Sequence, residues 1–190
     1  MRVIAGTQKG RRLHGPHSSG LRPTSDRVKE ALFSILGSRV ASSRFLDLYA
    51  GTGAIGIEAL SRGAERVTFV EPDPAALRVL RANLTRCGLE ASADIHMCTA
   101  GSFLKRSAQA SVRYDLVFAD PPYRHDRLET VQSALAEAAA VAPGALIVLE
   151  HASKSTLPTT HGRLILLKQY RYGDTTLSVF EAAAQDAPAL

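Results

Sequence analysis

The chain has little cysteine, no long apolar run and, over its first 29 residues, almost no acid. Its two cysteines, Cys87 and Cys98, are too few for a disulfide framework and stand in no metal-ligand spacing. Reduced thiols in a cytoplasmic protein are therefore expected. His14 and His17 form a loose H-x-x-H with no cysteine or acidic partner nearby. They read as loop residues, and no metal site is expected. No apolar stretch approaches the ~20 residues of a membrane span, and no signal peptide opens the chain. No internal repeat is present. The 190 residues suit one domain with a real core.

The scarcity of acid is local. Residues 1–29 carry Arg2, Lys9, Arg11, Arg12, Arg22, Arg27 and Lys29 against Asp26 alone, a net of +6. The whole chain is +5, so the rest nets −1. A neutral body behind a basic leader points to a polyanionic partner. Lys9, Arg11, Arg12, Arg22 and Arg27 are the expected phosphate contacts. A solvated tail is the plainer alternative, but the leader is patterned. Arg2–Ala5 and Arg11–Leu13 can pair as a small hairpin across the turn Gly6–Gly10. Thr24 or Ser25 then caps a helix with apolar residues at Val28, Ala31, Leu32, Ile35 and Leu36, ended by Gly37. Such a stripe must dock on something.

From Arg44 onward strands and helices alternate. Strands are expected at Phe45–Leu48, Arg66–Val70, Ala93–Cys98, Tyr114–Ala119 and Ala145–Glu150. Helices are expected at Ala54–Arg62, Pro74–Cys87, Ser102–Gln109 and Arg127–Val141. This rhythm implies an α/β fold with a mostly parallel, Rossmann-like sheet. The ending breaks it, because Arg163–Tyr170 and Thr175–Glu181 form a hairpin around Tyr-Gly-Asp. Seven strands with one antiparallel strand near the end follow. The expected domains are a basic hairpin and helix over 1–40, the α/β domain over 41–182 and a frayed tail over 183–190.

Two loops carry chemistry. The strand Tyr114–Ala119 ends in Asp120-Pro121-Pro122-Tyr123. Neither proline can donate a ladder hydrogen bond, and Pro122 keeps Pro121 extended. The stiff loop offers a carboxylate, free carbonyls and an aromatic face. An exocyclic amino group on a planar base needs that set, acceptors for its N–H bonds and a surface to stack on. A proline turn after a core strand is the bland alternative. The other loop is Asp47-Leu48-Tyr49-Ala50-Gly51-Thr52-Gly53-Ala54-Ile55-Gly56, a G-x-G-x-x-G whose Glu71 ends the next strand. Gly51 and Gly53 admit a ligand close to the backbone, Gly56 allows close helix–strand packing, and Glu71 can accept ribose hydroxyls. The glycines alone fit a dinucleotide. Asp47, however, would repel a pyrophosphate and can meet a positively charged methionine moiety. The loop after the fourth strand is expected in the same crevice. S-adenosylmethionine (SAM) suits both features.

Several stretches together carry a resemblance: Arg2-Val3-Ile4-Ala5-Gly6, Gly10-Arg11-Arg12-Leu13, Leu21 to Phe33 (LRPTSDRVKEALF), Asp47 to Gly56, Ala59 to Ala64 (ALSRGA) and Asp120 to Tyr123. The chain resembles the bacterial family that methylates a guanine N2 of small-subunit (16S) ribosomal RNA, from residue 2 to about 150 and loosely to 181. The resemblance implies a SAM-dependent class I methyltransferase acting on a flipped-out guanine of 16S rRNA, free or in a partly assembled small subunit. It implies that Asp120 and the Pro121 carbonyl hold the amino group on the stiff loop with Pro122, and that Tyr123 stacks on the base. Asp47, Tyr49, Gly51, Gly53 and Glu71 would hold SAM. Where such enzymes often carry Asp or Asn beside the adenine, this chain has Thr99-Ala100, which leaves Thr99 or a backbone amide for that contact. Three other readings remain: an amino-methyltransferase of DNA or of another RNA (adenine N6), a non-catalytic RNA-binding ribosome-assembly factor, and a nicotinamide oxidoreductase. A DNA enzyme normally needs a sizeable target-reading domain, and this chain has only a ~40-residue leader. The second leaves Asp47, Glu71 and Asp120 at three strand ends without a reason, and the third lacks a substrate domain.

Overall fold

A computed structural model of the chain describes residues 1–15, 26–107, 111–122 and 125–184, without the side chains of 125–127. The expected caps Thr24 and Ser25, and the tail past residue 184, lie outside the described residues. Backbone contacts divide the chain into two compact units, Met1–Ala100 and Gly101–Leu190.

The first unit opens with the expected hairpin, held by an Arg2–Arg12 antiparallel bridge and by Val3 N–H to Arg11 O at 3.0 Å and Gly10 N–H to Val3 O at 2.9 Å. Helix α1 (Asp26–Leu36) follows, then a short 3-10 turn at Gly37–Val40. Next come β1 (Arg44–Leu48), α2 (Ala54–Ser61), β2 (Arg66–Val70), α3 (Pro74–Cys87) and β3 (Ala93–His96). The strands lie in the order β3-β2-β1 and all run parallel. Helix α3 starts and stops as its sequence dictates. Pro74 sits in the first turn, Asp73 accepts from Ala75 and Ala76 N–H, and Gly88 closes it in the left-handed conformation.

The second unit opens with α4 (Ala100–Ser107), whose first residue closes the first unit. It holds β4 (Tyr114–Ala119), α5 (His125–Glu137), β5 (Val141–Ala152), β6 (Thr160–His161), β7 (Leu164–Tyr172) and β8 (Thr175–Ala182). The order is β4-β5-β8-β7-β6. β4 and β5 are parallel, and β8 runs against both β5 and β7. The expected α/β, mostly parallel Rossmann-like architecture is present. β8 is the reversed strand of the expected seven, and the two-residue β6 is an addition. No helix among the described residues is long and apolar enough to cross a membrane.

Several boundaries and one helix face differ from expectation, β5 among them, which runs Val141–Ala152 rather than Ala145–Glu150. The alanine-rich stretch before Val141 leaves the helix early, because Tyr114 N–H bonds to Ala140 O at 2.7 Å and draws this segment into pairing with β4. Strand pairing there overrides alanine's helix propensity. β3 stops at His96, where Cys98 N–H turns back to His96 O at 3.1 Å, and α4 starts two residues early. On α1 the buried face is Val28, Lys29, Leu32, Phe33 and Leu36, not the stripe through Ala31 and Ile35. A lysine inside that face rotates it, and the lysine has a buried partner.

Candidate functional site

One candidate element is the β1–α2 loop of the first unit. Tyr49, Gly51 and Gly53 all take positive φ, at 63°, 53° and 82°. Two of them are glycines, for which this is cheap, while Tyr49 adopts it at a cost. Ala50 N–H reaches Val70 O at 3.1 Å and Gly53 N–H closes the turn on Ala50 O at 2.8 Å. Glu71, only 9% exposed, binds two loops at once. One carboxylate oxygen accepts from Gly51 N–H and the other from Asp73 N–H, each at 2.9 Å. Each oxygen has a second lone pair for a ribose hydroxyl.

Asp47 is 1% exposed and accepts from Gly56 N–H at 2.9 Å. Gly53 at the helix start has no side chain to cap α2, so the strand supplies the cap. This bond bears on the ligand. A dinucleotide pyrophosphate uses the free N–H groups of this helix terminus; here a carboxylate holds one of them and adds a negative charge. The loop fits a nucleoside without a pyrophosphate, as SAM is. Gly56 has the packing role expected of it, because a Cβ there would lie 2.2 Å from the Phe69 ring. Thr99 is exposed immediately before α4, and Ala100 is buried at its first position.

A separate candidate element lies in the second unit. Asp120 follows β4 directly, half-buried, with Pro121 buried and Pro122 exposed. Burial pushes the Asp120 carboxyl up to about 6, since a charge in a poorly solvated place is disfavoured. Tyr123 and Arg22 lie outside the described residues.

The basic leader is bound to the first unit by a polar lock that the sequence reading missed. Glu58 of α2 is fully buried. It accepts from Ile4 N–H at 2.7 Å, Ala5 N–H at 2.9 Å and Arg62 Nε at 2.8 Å. Lys29 Nζ lies 3.4 Å from it and donates to Arg2 O at 2.5 Å. Ser61 adds bonds to Ala5 O and Gln8 N–H. Asn83 of α3, also fully buried, accepts from His14 N–H and donates to His14 O and Thr52 O. One amide thus ties the leader to the β1–α2 loop. The signals were present: Glu58 is a lone charge in the apolar run of α2, and Asn83 sits on the apolar stripe of α3.

Lys9, Arg11 and Arg12 are exposed and share a concavity of about 380 Å³ with Thr7, Gln8 and Arg86 of α3. Arg11 is held there by a 2.6 Å bond from its guanidinium to Arg86 O. Arg86 was not anticipated, and Arg27 is exposed on α1 outside this group.

These features meet a strong similarity. The profile of the family described as Conserved hypothetical protein 95 matches residues 1–181. The ribosomal RNA small subunit methyltransferase D of Escherichia coli (strain K12) is 38% identical over 186 residues, covering 97% of this chain and 91% of that protein. The chain belongs to this methyltransferase family. Its Haemophilus influenzae relative of the same name is also 38% identical, over 95% of this chain and 93% of that one. Among solved structures, a hypothetical protein of Thermus thermophilus superposes with a TM-score of 0.82 at 34% identity, over 96% of this chain and 99% of that one. A Salinibacter ruber RNA methyltransferase in complex with S-adenosyl-L-homocysteine has a TM-score of 0.67 at 17% identity, over 89% and 99% of the two chains. That likeness is one of fold. This family member is therefore an enzyme of the Rossmann-like methyltransferase class.

Proposed function

We propose that this methyltransferase transfers the methyl group of SAM to N2 of a guanine in small-subunit rRNA. The observation that carries this is near-full-length membership in the rRNA methyltransferase family, joined to a helix terminus capped by Asp47 against a pyrophosphate. SAM supplies an electrophilic methyl on a positively charged sulfur. In this reading Tyr49, Gly51 and Gly53 shape the loop around the methionine portion and Asp47 fastens it. Glu71 receives the ribose hydroxyls, and Thr99 and Ala100 border the adenine.

The target nitrogen is a poor nucleophile because its lone pair is delocalised into the base. Asp120 and the Pro121 carbonyl each accept one of its N–H bonds, which turns the lone pair out of the ring plane toward the methyl carbon. The N–C bond forms as the S–C bond breaks, and the methylated nitrogen then loses a proton. Positioning of this kind lowers barriers by up to ~7–11 kcal/mol in ideal intramolecular cases. Tyr123 stacks on the base once it has left its helix or loop. Residues 1–40 serve as the RNA-holding extension of a catalytic domain over 41–182. Their cations Lys9, Arg11, Arg12, Arg22 and Arg27, joined by Arg86, contact phosphates of 16S rRNA, free or in a partly assembled subunit. Mass spectrometry of rRNA nucleosides from cells with and without the gene tests the reading. Loss of one N2-methylguanosine from the small subunit is expected; an unchanged nucleoside profile overturns it.

A further inference from the structure

An Asp-Pro-Pro-Tyr loop holds an amino group but does not say on which base, since adenine N6 and guanine N2 present the same two N–H bonds. The residue that separates them is one strand away. β4 and β5 pair in parallel with Val117 opposite Ile147, Phe118 opposite Val148 and Ala119 opposite Leu149. The next residue on each strand is Asp120 and Glu150. Paired residues of parallel strands share a face, with strands about 4.8 Å apart, so continuing the register by one residue puts Asp120 and Glu150 at matching positions on neighbouring strands. Glu150 is 3% exposed, an uncommon place for a glutamate unless function or pairing keeps it there. His151, the next residue along, is held by Ser178 Oγ at 2.7 Å and by Ala152 O at 3.0 Å.

We propose that Glu150 selects guanine by accepting the N1–H bond while Asp120 accepts from the adjacent N2 amino group. The inference rests on the amino-methyltransferase reading of Asp120. Guanine carries two neighbouring donors on its Watson–Crick edge, N1–H and N2–H, and two adjacent carboxylates match them. Adenine offers a lone pair at N1, beside its N6 amino group. A carboxylate facing that lone pair is repelled and left without its hydrogen bond in a buried setting. A site built to receive a hydrogen bond rejects strongly an analogue that lacks the donor. Asp120 thus holds the reacting amino group, and Glu150 reads the atom that identifies the base.

The test uses a short RNA around the guanine that the wild-type enzyme modifies, located by mass spectrometry of nuclease fragments. It is made with guanine or with 2-aminopurine at that position. 2-Aminopurine keeps the N2 amino group but has a bare lone pair at N1. Wild type is expected to prefer guanine in kcat/KM by at least tenfold. Glu150→Gln, whose amide can donate to the bare N1, is expected to slow guanine about 10–100-fold and to narrow the preference by tenfold or more. Binding of S-adenosylhomocysteine should be unchanged. Equal slowing of both RNAs by the variant would overturn the proposal. So would a wild-type enzyme that methylates 2-aminopurine as fast as guanine, a result that needs no variant to fold. If wild type modified no guanine at all, the guanine-N2 reading would fall first, and this one with it.

Discussion

A carboxyl at the end of β4 accepts an amino N–H best as an anion, yet its surroundings favour the neutral form. With Asp120 pushed up to about 6, single-turnover methyl transfer should rise with pH below about 6 and level off above it. Asp120→Asn should lose most turnover along with that limb. The stability consequence has the opposite sense. The folded-state pKa lies above the unfolded value of about 3.9, so the folded protein binds the proton more tightly. Stability is fully present below about pH 4 and declines as pH rises to about 6. At pH 7 the Asp120→Asn protein should therefore melt higher, by about 1–3 kcal/mol of unfolding free energy in denaturant titrations. An unchanged or lower stability at pH 7 would show the carboxylate to be well solvated. Glu71 works through geometry instead. Glu71→Ala removes the tie between Gly51 and Asp73 as well as the proposed ribose acceptor. S-adenosylhomocysteine binding should weaken by at least ~1.5–3 kcal/mol in calorimetry.

The leader hairpin is short, and a two-stranded ribbon of that size is not stable alone. Its order comes from α2, whose Glu58 receives two leader amides and the buried Lys29. Removing one partner of such a pair strands a buried charge at about 3–5 kcal/mol. Lys29→Met should therefore lower the unfolding free energy by that order, far more than neutralising an exposed leader arginine. Gly6 is a gentler probe. It sits at φ +80° with its Cα turned to the Ser61 carbonyl, where a Cβ would fall 1.7 Å from the oxygen. Gly6→Ala should lift the hairpin from α2, seen as faster proteolysis near residues 6–15 and weaker RNA binding. Intact protection of the hairpin in that variant would mean that Asn83 and Lys29 hold it unaided.

At the scale of the whole molecule, charge is separated from chemistry. The net charge of +5 is concentrated in the leader, while Asp47, Glu58 and Glu71 gather in the first unit as buried acceptors. Long-range attraction to RNA should then be separable from cofactor affinity. Replacing Lys9, Arg11, Arg12 and Arg86 together by Ala should reduce the slope of log K against log salt by roughly 3, at ~0.7–0.9 for each phosphate contact. The same protein should bind S-adenosylhomocysteine as wild type does and should not bind NAD. An unchanged slope would move RNA recognition to another surface. Loss of both affinities would mean that these cations hold the fold.

What was legible in the sequence was whatever depends on neighbours in the chain. The strand–helix rhythm, the boundaries of β2, α3 and β4, the glycine loop and the Asp-Pro-Pro-Tyr stop follow from periodicity, caps and the fixed φ of proline, all local properties. The basic leader was legible as charge, and its hairpin as two short runs around glycines. Tertiary structure decided where charges go. Lys29 counted as a leader cation by composition, but folding places it against Glu58, 29 residues on, at 1% exposure. Asp47 caps α2 because Gly53 cannot, a role that the glycine pattern did not announce. Arg86 joined the leader cations, and Asn83 joined the leader to the β1–α2 loop, with Arg11–Arg86 and His14–Asn83 about 70 residues apart in sequence. A buried polar group must find its partner wherever the fold brings one, and no window of sequence contains that partner.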